Sequence, residues 1–285
     1  MNTLYRLTIS ASDLHDLIGS DHLVIVDCRT SLTDAHYGKL SYAEGHLPGA
    51  RFADLEKDLS QHTDAALGRH PLPESESFLM FVRSLGISND SQVVVYDDVS
   101  GAIAGRLWWM LSRWMNHEAV AVLDGGFAHW QDKGYPITRR VRGPKLGTFQ
   151  AEANDRAWVQ THELVEMLAN NAVTVVDARS PERFAGKEEP IDPVAGHIPE
   201  AVNAFLGENL ENGVYASDKA LKNRFSSIVS DAGGADQVVH SCGSGVSAVH
   251  NMIAMEKAGF AGSRLYVGSW SEWIRDRERP IATST

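Results

Sequence analysis

The sequence predicts an α/β fold built from two copies of one domain, each a mostly parallel sheet with helices on both faces. Three observations carry this. The chain repeats itself at long range, its β-rich runs are continuously apolar, and amphipathic stretches separate those runs. Strands buried on both faces lose the apolar–polar alternation, and strands joined through helices pair in parallel.

The repeat is explicit. LVIVDCR at 23–29 matches VTVVDAR at 173–179, GHLPGA at 45–50 matches GHIPEA at 196–201, and VVYDD at 94–98 matches VVHSC at 238–242. LDGGFAHW at 123–130 matches YVGSWSEW at 266–273, and YPI at 135–137 matches RPI at 279–281. The separation between copies stays between 143 and 151 residues, so order is kept with small deletions. Strands are expected at 23–26, 92–96 and 119–123. A helix is expected over 102–116, where Ile103, Leu107, Met110, Leu111 and Trp114 share a face and Trp108 and Trp109 join the core. Residues 138–156 lack periodicity. This linker, with Arg139, Arg140, Arg142, Gly143, Pro144 and Lys145, divides the chain into domains 1–137 and 157–285.

Composition removes several function classes. Among 285 residues, 26 Lys and Arg face 37 Asp and Glu, for a net charge of −11. Binding to nucleic acid or to an anionic membrane, each of which needs a basic face, is not expected. No apolar run approaches a membrane span, and the first residues show no secretory core. With only Cys28 and Cys242, a reducing compartment, the cytoplasm, is expected.

Duplication supplies an internal control. A feature in both copies serves the fold, and a feature in one copy is a candidate for chemistry. Asp27 and Asp177, Arg29 and Arg179, and His46 and His197 recur and read as structural, as do turn glycines near Gly125 and Gly268. Cys28 stands where the second copy has Ala178 and reads as a small apolar filler. Cys242 is different. It follows a strand expected at 237–240, stands where the first copy has Asp98, and opens Gly243-Ser-Gly-Val-Ser247 before a helical pattern at 248–258. Successive N–H groups in such a loop form an anion nest, and the following helix adds partial positive charge. Both favour a thiolate nucleophile.

Rival readings of this loop fail on particular residues. Gly243, Gly245 and Ala248 fit a dinucleotide fingerprint, but the next strand ends without the ribose-binding acid. A cysteine phosphatase needs Arg six residues after the cysteine, where Ala248 stands. His240, Cys242 and His250 lack zinc-ligand spacing, so no metal is expected.

These residues resemble the tandem-domain rhodanese-like sulfurtransferases over nearly the whole chain. The likeness rests on DAR at 177–179 with Arg183-Phe184, GHIP at 196–199, CGSGVS at 242–247 and GSWSEW at 268–273. The resemblance implies an inactive first domain and a catalytic second one. Its cysteine takes sulfur from a small donor as a persulfide and passes it to a thiol, thioredoxin-type or cyanide acceptor. No cofactor is needed, and a monomer is expected. The CGSGV loop is similar to the 3-mercaptopyruvate branch, with pyruvate as product; thiosulfate as donor and a persulfide-carrier role are the alternatives. Charge favours the first. Thiosulfate is a dianion and the loop holds no Lys or Arg, whereas arginines can grip one carboxylate in bidentate fashion. Gly243, Gly245, Val246 and Ser247 would cradle the sulfur.

Arg183, with Thr33 as its counterpart, is the expected carboxylate grip, fixed by Ser180-Pro181 as helix cap and first turn. Mercaptopyruvate enzymes often carry a second arginine nine residues on, where this chain has Asp192. By the same resemblance Ser244 relays protons, with Asp54 (opposite Phe205) and His70 from the first half completing the relay.

Overall fold

The computed structural model describes residues 4–62, 64, 66–141, 143 and 145–284; of the linker residues named above, Arg142 and Pro144 lie outside them. The chain forms two compact units. One comprises Met1–Gln61 and Leu72–Asn154, and the other His62–Pro71 and Asp155–Thr285. The short segment His62–Pro71 thus packs with the second unit although it lies in the first half of the sequence.

The first unit runs β1 (Thr8–Ile9), α1 (Ala11–Leu17), β2 (Leu23–Asp27), α2 (Tyr37–Glu44), β3 (Arg51–Phe52), α3 (Ser75–Ser84), β4 (Gln92–Tyr96), α4 (Ala104–Trp109), β5 (Val120–Leu123) and α5 (Gly126–Asp132). Its five strands pair in the order β1-β5-β4-β2-β3, all parallel. Val24, Ile25 and Val26 are all buried, as are Val93 through Tyr96, so both faces of the sheet are covered. One face packs Ile25, Val94, Tyr96 and Leu123 against Leu14 and Trp130.

The second unit repeats the order: β6 (Trp158–Val159), α6 (Thr161–Ala169), β7 (Thr174–Asp177), α7 (Pro181–Phe184), β8 (Val202–Asn203), then the hairpin β9 (Leu210–Glu211) and β10 (Val214–Tyr215). Next come α8 (Asp218–Ala232), β11 (Val238–Ser241), α9 (Ala248–Lys257), β12 (Arg264–Tyr266) and α10 (Ser269–Trp273). The sheet order β6-β12-β11-β7-β8 is that of the first unit, again parallel, with β11 at its centre. Helices flank each sheet.

The residues read as structural behave alike in both copies. Asp27 and Asp177 hold Arg29 and Arg179 in buried ion pairs at 2.6 and 2.7 Å. The guanidinium groups also cap the Gly45 and Gly196 carbonyls. His46 and His197 bond the Tyr42 and Phe184 carbonyls through Nδ1 and stack on those same rings. The helix expected over 102–116 is interrupted. After α4 the turn at Met110–Trp114 widens to π geometry, with Met115 N–H donating to Met110 O five residues back. The stretch through Asn154 belongs to the first unit, where Phe149 is buried and Gly147 N–H donates to Arg83 O. Among the described residues no helix is long and apolar enough to cross a membrane.

Candidate active site

Cys242 leaves the carboxyl end of the central strand β11, where parallel sheets place ligands, and its side chain is buried. The first unit shows what the loop after this strand holds. Strand register pairs Asp27 with Tyr96 and Asp177 with Ser241, so Asp97, rather than Asp98, occupies the place of Cys242. The backbone agrees: Phe127 N–H donates to Asp97 O at 2.7 Å, as Trp270 N–H does to Cys242 O at 3.1 Å. Two consecutive aspartates let the sequence alignment slide by one residue. Asp98 instead accepts a hydrogen bond from the Tyr37 hydroxyl.

Asp97 is fully buried and, among the described residues, its carboxylate is held by backbone N–H groups. Its Oδ1 accepts from Val99 and Gly101 N–H at 3.0 and 2.8 Å, and its Oδ2 from Ile103 and Ala104 N–H at 2.7 and 2.8 Å. Two donors on each oxygen fit the ionised form, although burial pushes this carboxyl up. The loop is therefore an anion nest in the copy that lacks the cysteine. Cys28, by contrast, is buried, and burial, followed by the charges of Asp27, Asp97 and Asp58, pushes its thiol well up, in keeping with a filler.

Cys242 is anchored by a serine that sequence reasoning passed over. Its N–H donates to Ser269 Oγ at 3.1 Å, and that hydroxyl donates to Tyr266 O at 2.9 Å. Ser269 holds φ of +49°, where the first unit has Gly126 at +60°. A side chain in this left-handed region costs on the order of 1 kcal/mol, which the bond to Cys242 offsets. Gly268 differs from the turn glycine expected of it. Its φ is −62°, and what excludes a side chain there is the Glu272 carboxylate. Gly245 does need its φ of +72°, and a Cβ there would run into the Val267 carbonyl. Val246 and Ser247 lead into α9 through carbonyls that accept from Val249 and His250 N–H.

Charged groups alternate in sign beside the loop. Arg69 binds Asp192 through Nε and Nη2 at 3.0 and 3.2 Å, and Asp192 lies 3.6 Å from Arg183 Nη2. Arg183 binds Glu189 at 2.6 and 3.2 Å, and Glu189 reaches Arg179 Nη1 at 3.4 Å. Burial works against Glu189 ionising, but Arg183 and the Asp192 and Ile191 N–H groups hold it below the usual carboxylate range. Burial likewise opposes the Arg179 charge, which the carboxylates of Asp177 and Glu189 and the Cys242 sulfur more than restore. The expected helix start is present: Ser180 Oγ accepts from Arg183 N–H at 3.4 Å and Pro181 opens α7. A Cβ on Gly243 would lie 2.8 Å from Arg69 Nη2 and 3.5 Å from Arg183 Nη2, so two guanidinium groups flank the residue after the cysteine.

The structure brings His70 to Ser244, with Nδ1 and Oγ 2.7 Å apart and both residues buried. Asp54 belongs to the first unit, where its carboxylate accepts from Glu56 N–H and pairs with Lys57. Two residues before the cysteine, fully buried His240 is pushed down to about 3 and is neutral. Arg69 could have been suspected from the sequence: it adjoins His70, and an acid stands at 192.

The Rhodanese-like domain family matches residues 10–133 and 160–276. A Pseudomonas aeruginosa protein named "Probable 3-mercaptopyruvate sulfurtransferase" is 42% identical over 277 residues, 96% of this chain and 97% of that protein. A Mycobacterium tuberculosis relative, provisionally named a thiosulfate sulfurtransferase, is 41% identical over 283 residues, 98% of each. The solved structure of 3-mercaptopyruvate sulfurtransferase from Leishmania major matches with a TM-score of 0.84 and 28% identity, over 94% of this chain and 74% of that one.

Proposed function

The chain belongs to the rhodanese-like domain family, and from that premise we propose that it is a sulfurtransferase whose donor is 3-mercaptopyruvate. Cys242 is the nucleophile. Its thiolate attacks the donor sulfur, the carbon–sulfur bond breaks, and the electron pair passes to the carbon next to the carbonyl. The enolate so formed takes a proton and leaves as pyruvate, and Cys242 keeps the transferred sulfur as a persulfide. An acceptor nucleophile then attacks the outer sulfur, and the Cys242 sulfur recovers its electron pair as thiolate. Cyanide serves in an assay; a small thiol or a thioredoxin-type dithiol serves in a reducing cytoplasm. The enzyme works as a monomer.

The observation that carries this reading is the placement of Cys242 in an anion-holding loop with the Arg183 guanidinium beside Gly243. Backbone N–H groups of Gly243, Gly245, Val246 and Ser247 favour the thiolate and the persulfide anion, as the matching loop favours the Asp97 carboxylate. Arg183 takes the donor carboxylate. Ser244, in contact with His70, delivers the proton that the enolate needs. Asp54 is assigned to the same relay from its place in the family pattern. Steady-state sulfur transfer to cyanide tests the donor, with Cys242→Ala as control. A kcat/KM at least about tenfold higher for 3-mercaptopyruvate than for thiosulfate supports it, a difference of about 1.4 kcal/mol in transition-state binding. A thiosulfate preference overturns the donor assignment, and a persulfide without turnover of either donor makes the protein a carrier.

A further inference from the structure

We propose that the second unit carries a further binding site, for a small organic cation with an apolar body. The site is a groove of about 680 Å³ between α6, the turn at Pro199 and Glu200, and the segment 273–280. It shares no lining residue with the Cys242 loop, so the proposal does not depend on the identity of the sulfur donor.

Duplication shows how the groove is opened. Val159 pairs with Tyr266 as Ile9 does with Leu123, and α6 and α1 each begin two residues after that strand position. At the other wall the Trp273 indole N–H donates to Pro280 O at 2.9 Å, as that of Trp130 does to Pro136 O. Val165 and Arg279 therefore stand where the first unit has His15 and Tyr135. In the first unit those two rings stack with centroids 4.4 Å apart, and they lie 6.1 and 4.9 Å from the Trp130 ring. The second unit has neither ring. Val165 is shorter and 41% exposed, and Arg279 turns Nη1 to the Glu272 and Trp273 carbonyls at 2.9 and 3.0 Å. What remains is an apolar lining of Val165, Leu168, Trp273 and Pro280.

Charge selects the occupant. Glu166, Glu200, Asp276 and Glu278 line the groove, against Arg279 and His162. Asp276 is matched by Arg279, whose Nε lies 3.8 Å away. Among the described residues Glu166, Glu200 and Glu278 have no ion-pair partner. Glu200 is there against the preference of its backbone. It holds φ of +63° where the first copy has Gly49 at +81°, so a side chain is strained at a place that glycine fills freely. Among the described residues no hydrogen bond of its carboxylate offsets that strain. A cleft lined mainly by one sign of charge attracts the opposite sign and repels its own. A concave, mostly apolar space of this volume with a few polar groups at its edge is the form of a small-molecule site. The cationic head belongs among Glu166, Glu200 and Glu278, and the apolar body against Val165, Leu168 and Pro280.

Three probes with one apolar body and different heads test this on the full chain: 4-phenylbutylamine, 4-phenylbutanol and 4-phenylbutyrate. Binding is followed by NMR through the backbone amide shifts at low salt. The amine is expected to move amides of α6, of Glu200 and of 273–280, and to bind at least about tenfold more tightly than the alcohol, with the carboxylate weakest. Two variants fix the place. Val165→Tyr puts an aromatic ring back into the groove, as in the first unit, and should weaken the amine by about tenfold or more. Glu200→Gly restores the residue of the first copy, so it should weaken the amine several-fold while raising the unfolding midpoint. Equal affinity for amine and alcohol overturns the proposal, as does no binding of the amine up to about 10 mM. Unchanged binding in both variants, or shifts centred on the Cys242 loop, overturns it as well. So does binding of a short peptide of alternating leucine and lysine when the amine does not bind, since the groove would then take protein. Should Val165→Tyr fail to fold, Glu200→Gly on its own must weaken the amine for the proposal to stand.

Discussion

Acid should destabilise this protein through one residue in particular, His240. Its side chain lies inside β11, two residues from the nucleophile, with Nε2 beside Ser263 Oγ at 3.1 Å and, among the described residues, no partner for Nδ1. Burial alone pushes it from 6.5 down to about 3. The native state therefore refuses a proton that the unfolded chain accepts below pH 6.5, so stability is complete above that value and is lost as the pH falls. By pH 5 the unfolded imidazole is almost fully protonated and the native one hardly at all, which costs about 2 kcal/mol, rising by about 1.4 kcal/mol per further pH unit until the native group titrates. A native value a unit higher leaves the figure at pH 5 unchanged. Urea unfolding at pH 7.5, 6 and 5 measures it, with wild type compared with His240→Leu so that contributions from other groups cancel. The stability difference should move by about 2 kcal/mol in favour of the variant between pH 7.5 and 5. Parallel pH profiles for the two proteins would refute the reasoning, as would an NMR titration of His240 near its ordinary value.

Ser269→Gly removes the hydroxyl on the Cys242 N–H while relieving the left-handed backbone, so its stability should stay within about 1 kcal/mol of wild type while sulfur transfer slows. Ser269→Ala loses the hydroxyl and keeps the strain, so denaturation should show it to be the less stable of the two. In the first unit, Asp97→Asn turns an amide group toward backbone N–H donors and should cost on the order of 3 kcal/mol, read as a lower unfolding midpoint. A neutral effect there would mean that the loop is not an anion nest.

The fold was legible because duplication doubled the signal. Runs such as Val93 to Tyr96 are buried on both faces, which is why they lost alternation and announced a parallel sheet. The same comparison isolated Cys242 and Arg183, since Asp97 and Thr33 stand in their places. It slipped by one residue at Asp97 and Asp98, because only strand register distinguishes two adjacent aspartates. Ser269 carries no signal of its own, because it stands in a motif that reads as a turn and its counterpart is Gly126. Arg69 was the hardest to see. Its ion pair with Asp192 joins residues 123 positions apart, which no local pattern signals.

The central claim is that Cys242 carries the sulfur, and peptide-mapping mass spectrometry tests it most directly. The protein is mixed with 3-mercaptopyruvate without acceptor, digested and mapped, and then treated with cyanide. The account predicts a gain of one sulfur atom on the peptide containing Cys242, its removal by cyanide with thiocyanate released, and no gain in Cys242→Ala. Sulfur found on Cys28, or on neither cysteine while pyruvate is still released, would contradict it.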